Sequence, residues 1–125
     1  MIDFSKAGII KLKPINNDEC SKTVHHILVE DEVIVRTFKT VRDNLVFTNK
    51  RIIGINIQGL VGKKRDITSL PLNNIQAFSV ESSGTFETTS QMELWFAGLG
   101  KIRFEFDAKV DVYQLAHIIG SRMLR

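Results

Sequence analysis

The chain has 125 residues, of which 43% are hydrophobic and 25% charged, and its formal net charge is +3. This length is typical of one domain, and the balance of apolar and charged residues excludes an intrinsically disordered chain. The small basic surplus permits an anionic partner, but we expect no nucleic-acid partner, because nucleic-acid-binding domains usually cluster a basic excess on one face.

Cysteine content and the N-terminus indicate the compartment. Cys20 is the single cysteine, so an internal disulfide cannot form. Asp3 stands where a signal peptide has positive charge, and no stretch approaches the roughly 18 apolar residues of a membrane span. We therefore expect a cytoplasmic protein.

The N-terminal part is expected to contain one short helix. Residues 1–15 show no clean periodicity and are set apart as an N-terminal segment, so that the domain spans 16–125. A helix is predicted at about 16–29, capped by Asn16 or Asn17. Its apolar stripe consists of Cys20, Val24, Ile27 and Leu28.

From residue 33 onward the apolar residues alternate with a period of two over some seventy residues. Seven short strands separated by turn signals are expected there, which predicts an antiparallel barrel or sandwich. The strand containing "KRDITSLPL" should end at Pro71 or lie at an edge, because proline cannot donate a hydrogen bond to a neighbouring strand. The residues expected to be buried include Ile53, Ile55, Leu94 and Phe104.

The last segment returns to a helical period. Either Asp107 or Asp111 is a suitable cap for this helix, which is expected to begin near Asp111 and to close the open end of the bent sheet. Its apolar positions are Val112, Leu115, Ala116, Ile119 and Met123.

Three phrases in series, "LVFTNKRII", "QGLVGKK" and "SLPLNNIQAFSVESSGTF", resemble the bacterial pleckstrin-homology (PH) domain family, and the similarity runs from about Ile27 to about Ile119. The resemblance implies a mainly β, seven-stranded bent barrel with a C-terminal helix. It also implies ring-like homo-oligomers and no enzymatic activity. Eukaryotic relatives bind phosphoinositides through a basic loop between the first two strands, which here is "KTVRDN", with Lys39 and Arg42.

The densest basic run is Lys63, Lys64 and Arg65. One interpretation is a solvated run that protects a sheet edge, and we favour it because exposed lysines block edge pairing. The other is a contact with an anion such as a polyphosphate or a lipid headgroup. In that case Lys39 and Arg42 are further candidates.

The phrase "TNKR" has a structural explanation. Thr48 and Asn49 can hydrogen-bond to their own turn. Lys50 and Arg51 are expected to pack their aliphatic stems on the hairpin and to keep their charged heads in water. We favour this role over contact with a ligand.

No catalytic or metal constellation is visible. Cys20 lies on the apolar stripe, and His25 and His26 are five and six residues further on, off its face, while His117 is on a separate segment. We therefore expect no enzyme, metal or cofactor.

Trp95 alternates with Leu94 and Phe96 and should point away from the main core. It is interpreted either as an interface anchor or as part of a minor cluster beneath the N-terminal helix. Nothing charged guards the strand "SQMELWFAG" if it is an edge, so a second subunit could cover it.

These observations favour a non-catalytic interaction module that self-associates, possibly as a ring, and that has a protein partner not identifiable from sequence. The alternative is a peripheral binder of anionic lipids or other anionic ligands through a basic loop. In this alternative "KAGIIKLK" could serve as a basic amphipathic anchor.

Overall fold

The computed structural model describes residues 9–58, 64–86 and 88–125. Its helices are α1 (Asp18–Val24) and α2 (Val112–Met123), and a 3₁₀ turn spans Leu72–Asn74. Its strands are β1 (Ile9–Ile15), β2 (Ile34–Lys39), β3 (Asp43–Thr48), β4 (Arg51–Gln58), β5 (Lys64–Pro71), β6 (Ile75–Glu81), β7 (Thr89–Phe96) and β8 (Gly100–Asp107). None of these helices is long and apolar enough to cross a bilayer.

The strands form one sheet in the order β5-β4-β3-β2-β1-β8-β7-β6. Neighbouring strands are antiparallel except β1 and β8, which run parallel. The prediction of a mainly β sheet that bends around a core and is closed by a C-terminal helix is confirmed, although the sheet has eight strands where seven were expected.

The additional strand, β1, lies in the segment 1–15 that the sequence analysis set apart. Its register with β8 shifts between Ile9 and Leu12, and Lys11 between them has a φ of 54°. Such an irregularity breaks the alternation of a strand. This break explains why the segment showed no clean period.

The main core fills the concave side of the sheet and is covered by α2, whose Val112, Leu115 and Ile119 are buried in it. Asp111 caps the helix, because its side chain accepts hydrogen bonds from the backbone N–H groups of Tyr113 at 3.0 Å and Gln114 at 3.2 Å. The predicted start of this helix is confirmed. The rings at the centre of the core belong to Phe38, Phe47, Phe104 and Phe106.

A second, smaller cluster lies on the other face of the sheet. There α1 buries Cys20 and Val24 against residues of β3 and β4, with Ile27 and Leu28 packed beside them. The helix ends at Val24, earlier than predicted, but the predicted apolar stripe does pack together. All four residues expected to be buried are buried, although Ile53 and Ile55 belong to this second cluster.

The edges of the sheet are β5 and β6. Strand β5 ends at Pro71 and lies at an edge, as expected. The expectation that "SQMELWFAG" forms an unguarded edge is wrong, because β7 is hydrogen-bonded to β6 on one side and to β8 on the other.

Candidate functional site

Positively charged side chains line a groove of about 810 Å³ where β1 meets the turn between β2 and β3. Among the described residues, its lining contains four cations and no carboxylate. We call this the basic groove, and its described lining residues are Lys11, Lys13, Lys39, Thr40, Val41 and Arg42.

The turn that forms one wall of the groove is held by its own backbone. The Thr40 N–H donates to the Asp43 carbonyl at 2.9 Å, and the Asp43 N–H donates to Thr40 Oγ1 at 3.1 Å. The Arg42 carbonyl accepts from the Ile57 N–H at 3.3 Å, which ties the turn to β4. Val41 stands fully exposed at the tip of the turn.

The floor of the groove contains two lysines directly opposite each other. Lys13 of β1 pairs with Lys39 of β2, and both are exposed. Like charges directly opposite on neighbouring strands repel and are destabilising. The fold therefore maintains an unfavourable pair at this position, and a bound anion would relieve it.

The candidate basic residues divide between two segments at the same end of the sheet. Lys39 and Arg42 line the groove, while Lys64 and Arg65 are exposed at the start of edge strand β5. Ile57 joins the two segments, because it bonds to the Arg42 carbonyl and pairs with Arg65. The third member of the basic run, Lys63, lies outside the described residues.

Lys11 and Lys13 were missed as groove residues. The sequence analysis mentioned them only within an amphipathic anchor, but from Ile9 onward this segment is strand β1 of the sheet. The alternation of lysine and apolar residues in "IKLKP" was the available signal, and Leu12 between the two lysines is fully buried.

The "TNKR" phrase carries a structural network rather than a ligand site. Thr48 Oγ1 accepts from the N–H groups of Lys50 at 3.1 Å and Arg51 at 2.9 Å, as expected for a residue that closes its own turn. Asn49 differs from the expectation. Its side chain reaches the loop before β2, where it accepts from the Val33 N–H at 2.9 Å and donates to the Asp31 carbonyl at 2.8 Å.

Arg51 also differs from the expectation, because its head group is not in water. Its Nε and Nη2 donate to the two carboxylate oxygens of Glu32 at 2.9 and 2.8 Å, and Nη2 also donates to the Ile27 carbonyl. The Glu32 side chain is fully buried. The sequence analysis did not identify Glu32, because an acidic residue after a helix is ordinarily solvated.

The Glu32 carboxyl has a pKa below its ordinary value. Burial alone raises this pKa, but hydrogen bonds from Arg51, Thr48 and the Val29 N–H, together with the charge of Arg51, outweigh it. The glutamate is therefore ionised at neutral pH and is held in one position by three segments of the chain.

The cysteine and histidines do not converge. Cys20 is buried beneath α1, and burial, followed by the negative charge of Glu19, raises the pKa of its thiol. His25 and His26 are exposed with ring centroids 6.2 Å apart, and His117 lies on α2. In the described parts of the chain, no three His, Cys, Asp or Glu side chains are grouped as a metal site requires.

Trp95 lies on the outer face of the sheet and is 37% exposed. It pairs with Ala77 of β6 and with Lys101 of β8, whose ammonium group is 2.9 Å from the carboxylate of Glu93. The interpretation that Trp95 belongs to a cluster beneath the N-terminal helix is wrong, because α1 covers β3 and β4 instead.

The sequence and the fold are similar to those of known proteins. A family model described as "Bacterial PH domain" matches residues 3–123. The uncharacterized protein YjqA of Bacillus subtilis strain 168 is 37% identical over 98 residues, which cover 77% of this chain and 78% of YjqA. A DUF1696 family protein with a pleckstrin-homology domain from Shewanella loihica PV-4 has a TM-score of 0.76 and 31% identity, covering 91% of this chain and 98% of its own. A pleckstrin homology domain from Shewanella amazonensis SB2B has a TM-score of 0.64 and 32% identity, covering 89% and 90%.

Proposed function

This chain belongs to the bacterial PH domain family, and we propose that it acts as a non-catalytic interaction module that self-associates. The observation that carries the proposal is the exposed position of Trp95 on the outer face of β7. A large aromatic side chain that is left accessible on a regular sheet is a frequent anchor of protein–protein contacts.

The surroundings of Trp95 fit such a contact. The small side chain of Ala77 lies beside the ring on β6, and Ala97, two residues further along the chain, is also exposed. The ion pair of Lys101 and Glu93 lies next to this small apolar area. An apolar centre with a polar border is the usual composition of an interface.

Light scattering coupled to size-exclusion chromatography tests this proposal. At micromolar concentration the parent is expected to scatter as a multiple of the 14.2 kDa chain. Trp95→Ser should shift the protein toward the monomer with unchanged circular dichroism, because the residue does not contribute to the main core. A matched control is Tyr113→Ser, which removes another exposed aromatic side chain, on α2. A parent that scatters as a monomer across this range would refute self-association.

A second candidate function is the binding of anionic ligands or an anionic membrane surface. The observation that favours it is the basic groove, with Lys64 and Arg65 at the same end of the sheet. Each Lys or Arg near an anionic bilayer contributes on the order of 1 kcal/mol, and salt screens this attraction.

Sedimentation with vesicles at two salt concentrations tests the second candidate. The parent is expected to adsorb to vesicles that contain phosphatidylglycerol at low salt and to be released at high salt. Changing Lys63, Lys64 and Arg65 together to serine should reduce this adsorption. Equal adsorption to neutral phosphatidylcholine vesicles would contradict an electrostatic contact.

A further inference from the structure

We propose that the basic groove is a site for a phosphate group, held between Lys13 and Lys39. This inference rests on the second candidate function and specifies its ligand. It does not depend on self-association, because Trp95 lies on β7, two strands away from β1.

The pairing of the two strands places the lysines suitably for a shared ligand. Lys13 and Lys39 are direct partners across β1 and β2, and the Cβ atoms of such partners are about 4.5–5.5 Å apart. Both side chains are exposed, so their flexible stems can bring both ammonium groups to one anion. A phosphate between them turns a repulsive pair into two attractive contacts.

The number of cations favours a multiply charged ligand. Lys11 and Arg42 complete the charged lining, and the described lining has no carboxylate to neutralise them. A phosphate monoester carries about 1.5 to 2 negative charges at neutral pH and has three acceptor oxygens, whereas a carboxylate carries one charge. Arg42 adds a planar guanidinium that can bind two phosphate oxygens together.

The backbone at Lys11 is a second, independent observation. Its φ of 54° lies in the left-handed region, which a lysine rarely occupies, and it coincides with the register shift of β1. Irregularities of this kind re-aim side chains and occur often beside functional sites. Here the irregular segment supplies one of the four cations of the groove.

The dimensions of the groove suit a small ligand that carries phosphate. Its volume of about 810 Å³ is within the roughly 300–1,000 Å³ of small-molecule sites. Val41 provides an apolar wall beside the cations, against which the remainder of a phosphorylated molecule could pack. The phosphate could belong to a soluble molecule or to a lipid headgroup, and the experiment separates the two sources.

Titration calorimetry with inorganic tripolyphosphate at low salt is the first arm of the test. The parent is expected to bind, and Lys13→Gln and Lys39→Gln should each weaken binding about tenfold, as expected for loss of one charge-assisted contact. Lys101→Gln is the matched control, because Lys101 lies near the opposite end of β8 from the Leu12–Phe106 pairing, and it should leave the affinity unchanged.

Thermal unfolding shows whether the variants are folded. Lys13→Gln and Lys39→Gln should melt at the same temperature as the parent or higher, because each removes the repulsion of a like-charge pair. Weaker binding by a variant that is at least as stable as the parent therefore reports a lost contact and not a damaged fold.

Sedimentation with phosphatidylglycerol vesicles is the second arm. Loss of tripolyphosphate binding in both variants supports the site with a soluble source. Loss of vesicle adsorption in both variants, with no tripolyphosphate binding by the parent, supports it with a lipid source. The inference is overturned if the parent binds neither probe, or if neither variant weakens binding. In the second case, salt-sensitive adsorption that depends only on the run from Lys63 to Arg65 would leave the second candidate function standing.

Discussion

The Nη2 atom of Arg51 lies 2.8 Å from Oε1 of Glu32, in a pair whose glutamate side chain is fully buried and whose arginine side chain is 18% exposed. The same carboxylate accepts a hydrogen bond from Thr48 Oγ1 at 2.7 Å and another from the Val29 N–H at 3.0 Å. The pair thus joins the loop before β2 to the hairpin between β3 and β4.

Replacing Arg51 with leucine should destabilise the protein by about 3–5 kcal/mol, because it leaves a buried carboxylate without its cation. Urea unfolding at neutral pH measures this loss. The same change at the neighbouring Lys50, which is only half-buried, is the control and should shift the free energy of unfolding by no more than about 0.5 kcal/mol. Similar losses for both variants would show that the ion pair contributes little.

The Glu32 pair should also make stability depend on pH. Since the pKa of Glu32 is lower in the folded chain than its unfolded value of about 4.3, its contribution is complete above that value. It is lost as the pH falls toward the folded pKa. We expect Glu32→Gln to be less stable than the parent at about pH 7 and the difference to shrink below about pH 4. A difference that is constant across this range would contradict an ionised, stabilising Glu32.

Phe104 lies in the main core and is fully buried, so Phe104→Ala should lower the free energy of unfolding by about 3–5 kcal/mol. Phe86→Ala provides a matched control, because the Phe86 side chain is 97% exposed and its removal creates no cavity. Urea unfolding of the two variants should differ by most of the Phe104 effect. Equal effects would mean that the core is packed differently from the structure.

The hydroxyl of Thr37 is buried and has no hydrogen-bond partner among the residues that the structure describes. Its cross-strand partners are Ile15 and Val46, which offer no polar side-chain atoms. Thr37→Val should therefore stabilise the protein by about 1 kcal/mol, because valine has the same shape without the unsatisfied group.

Thr48→Val is the control for this prediction. The Thr48 hydroxyl is also buried, but it bonds to the Glu32 carboxylate and to the backbone of its turn. The same chemical change should destabilise the protein there by about 1–3 kcal/mol. Thermal unfolding that shows the same sign for both substitutions would contradict the assignment of the two hydroxyls.

The sequence by itself determined the features that depend on local periodicity and capping. The alternation around Leu94 and Phe104 predicts their burial, and the helical spacing after Asp111 predicts both the C-terminal helix and its cap. The exposed position of Trp95 follows from the same alternation. These features are readable because neighbouring residues alone decide which face of a strand or helix a side chain occupies.

Only the tertiary structure decided which segments meet. Arg51 finds a partner 19 residues away, Lys13 is brought opposite Lys39, and the unguarded edge is β6 where β7 was expected. Strand order and register result from the sum of many contacts between distant segments, and a period of two is compatible with several such arrangements. The basic groove exists because β1, whose register shift at Lys11 hides its period, inserts between β2 and β8.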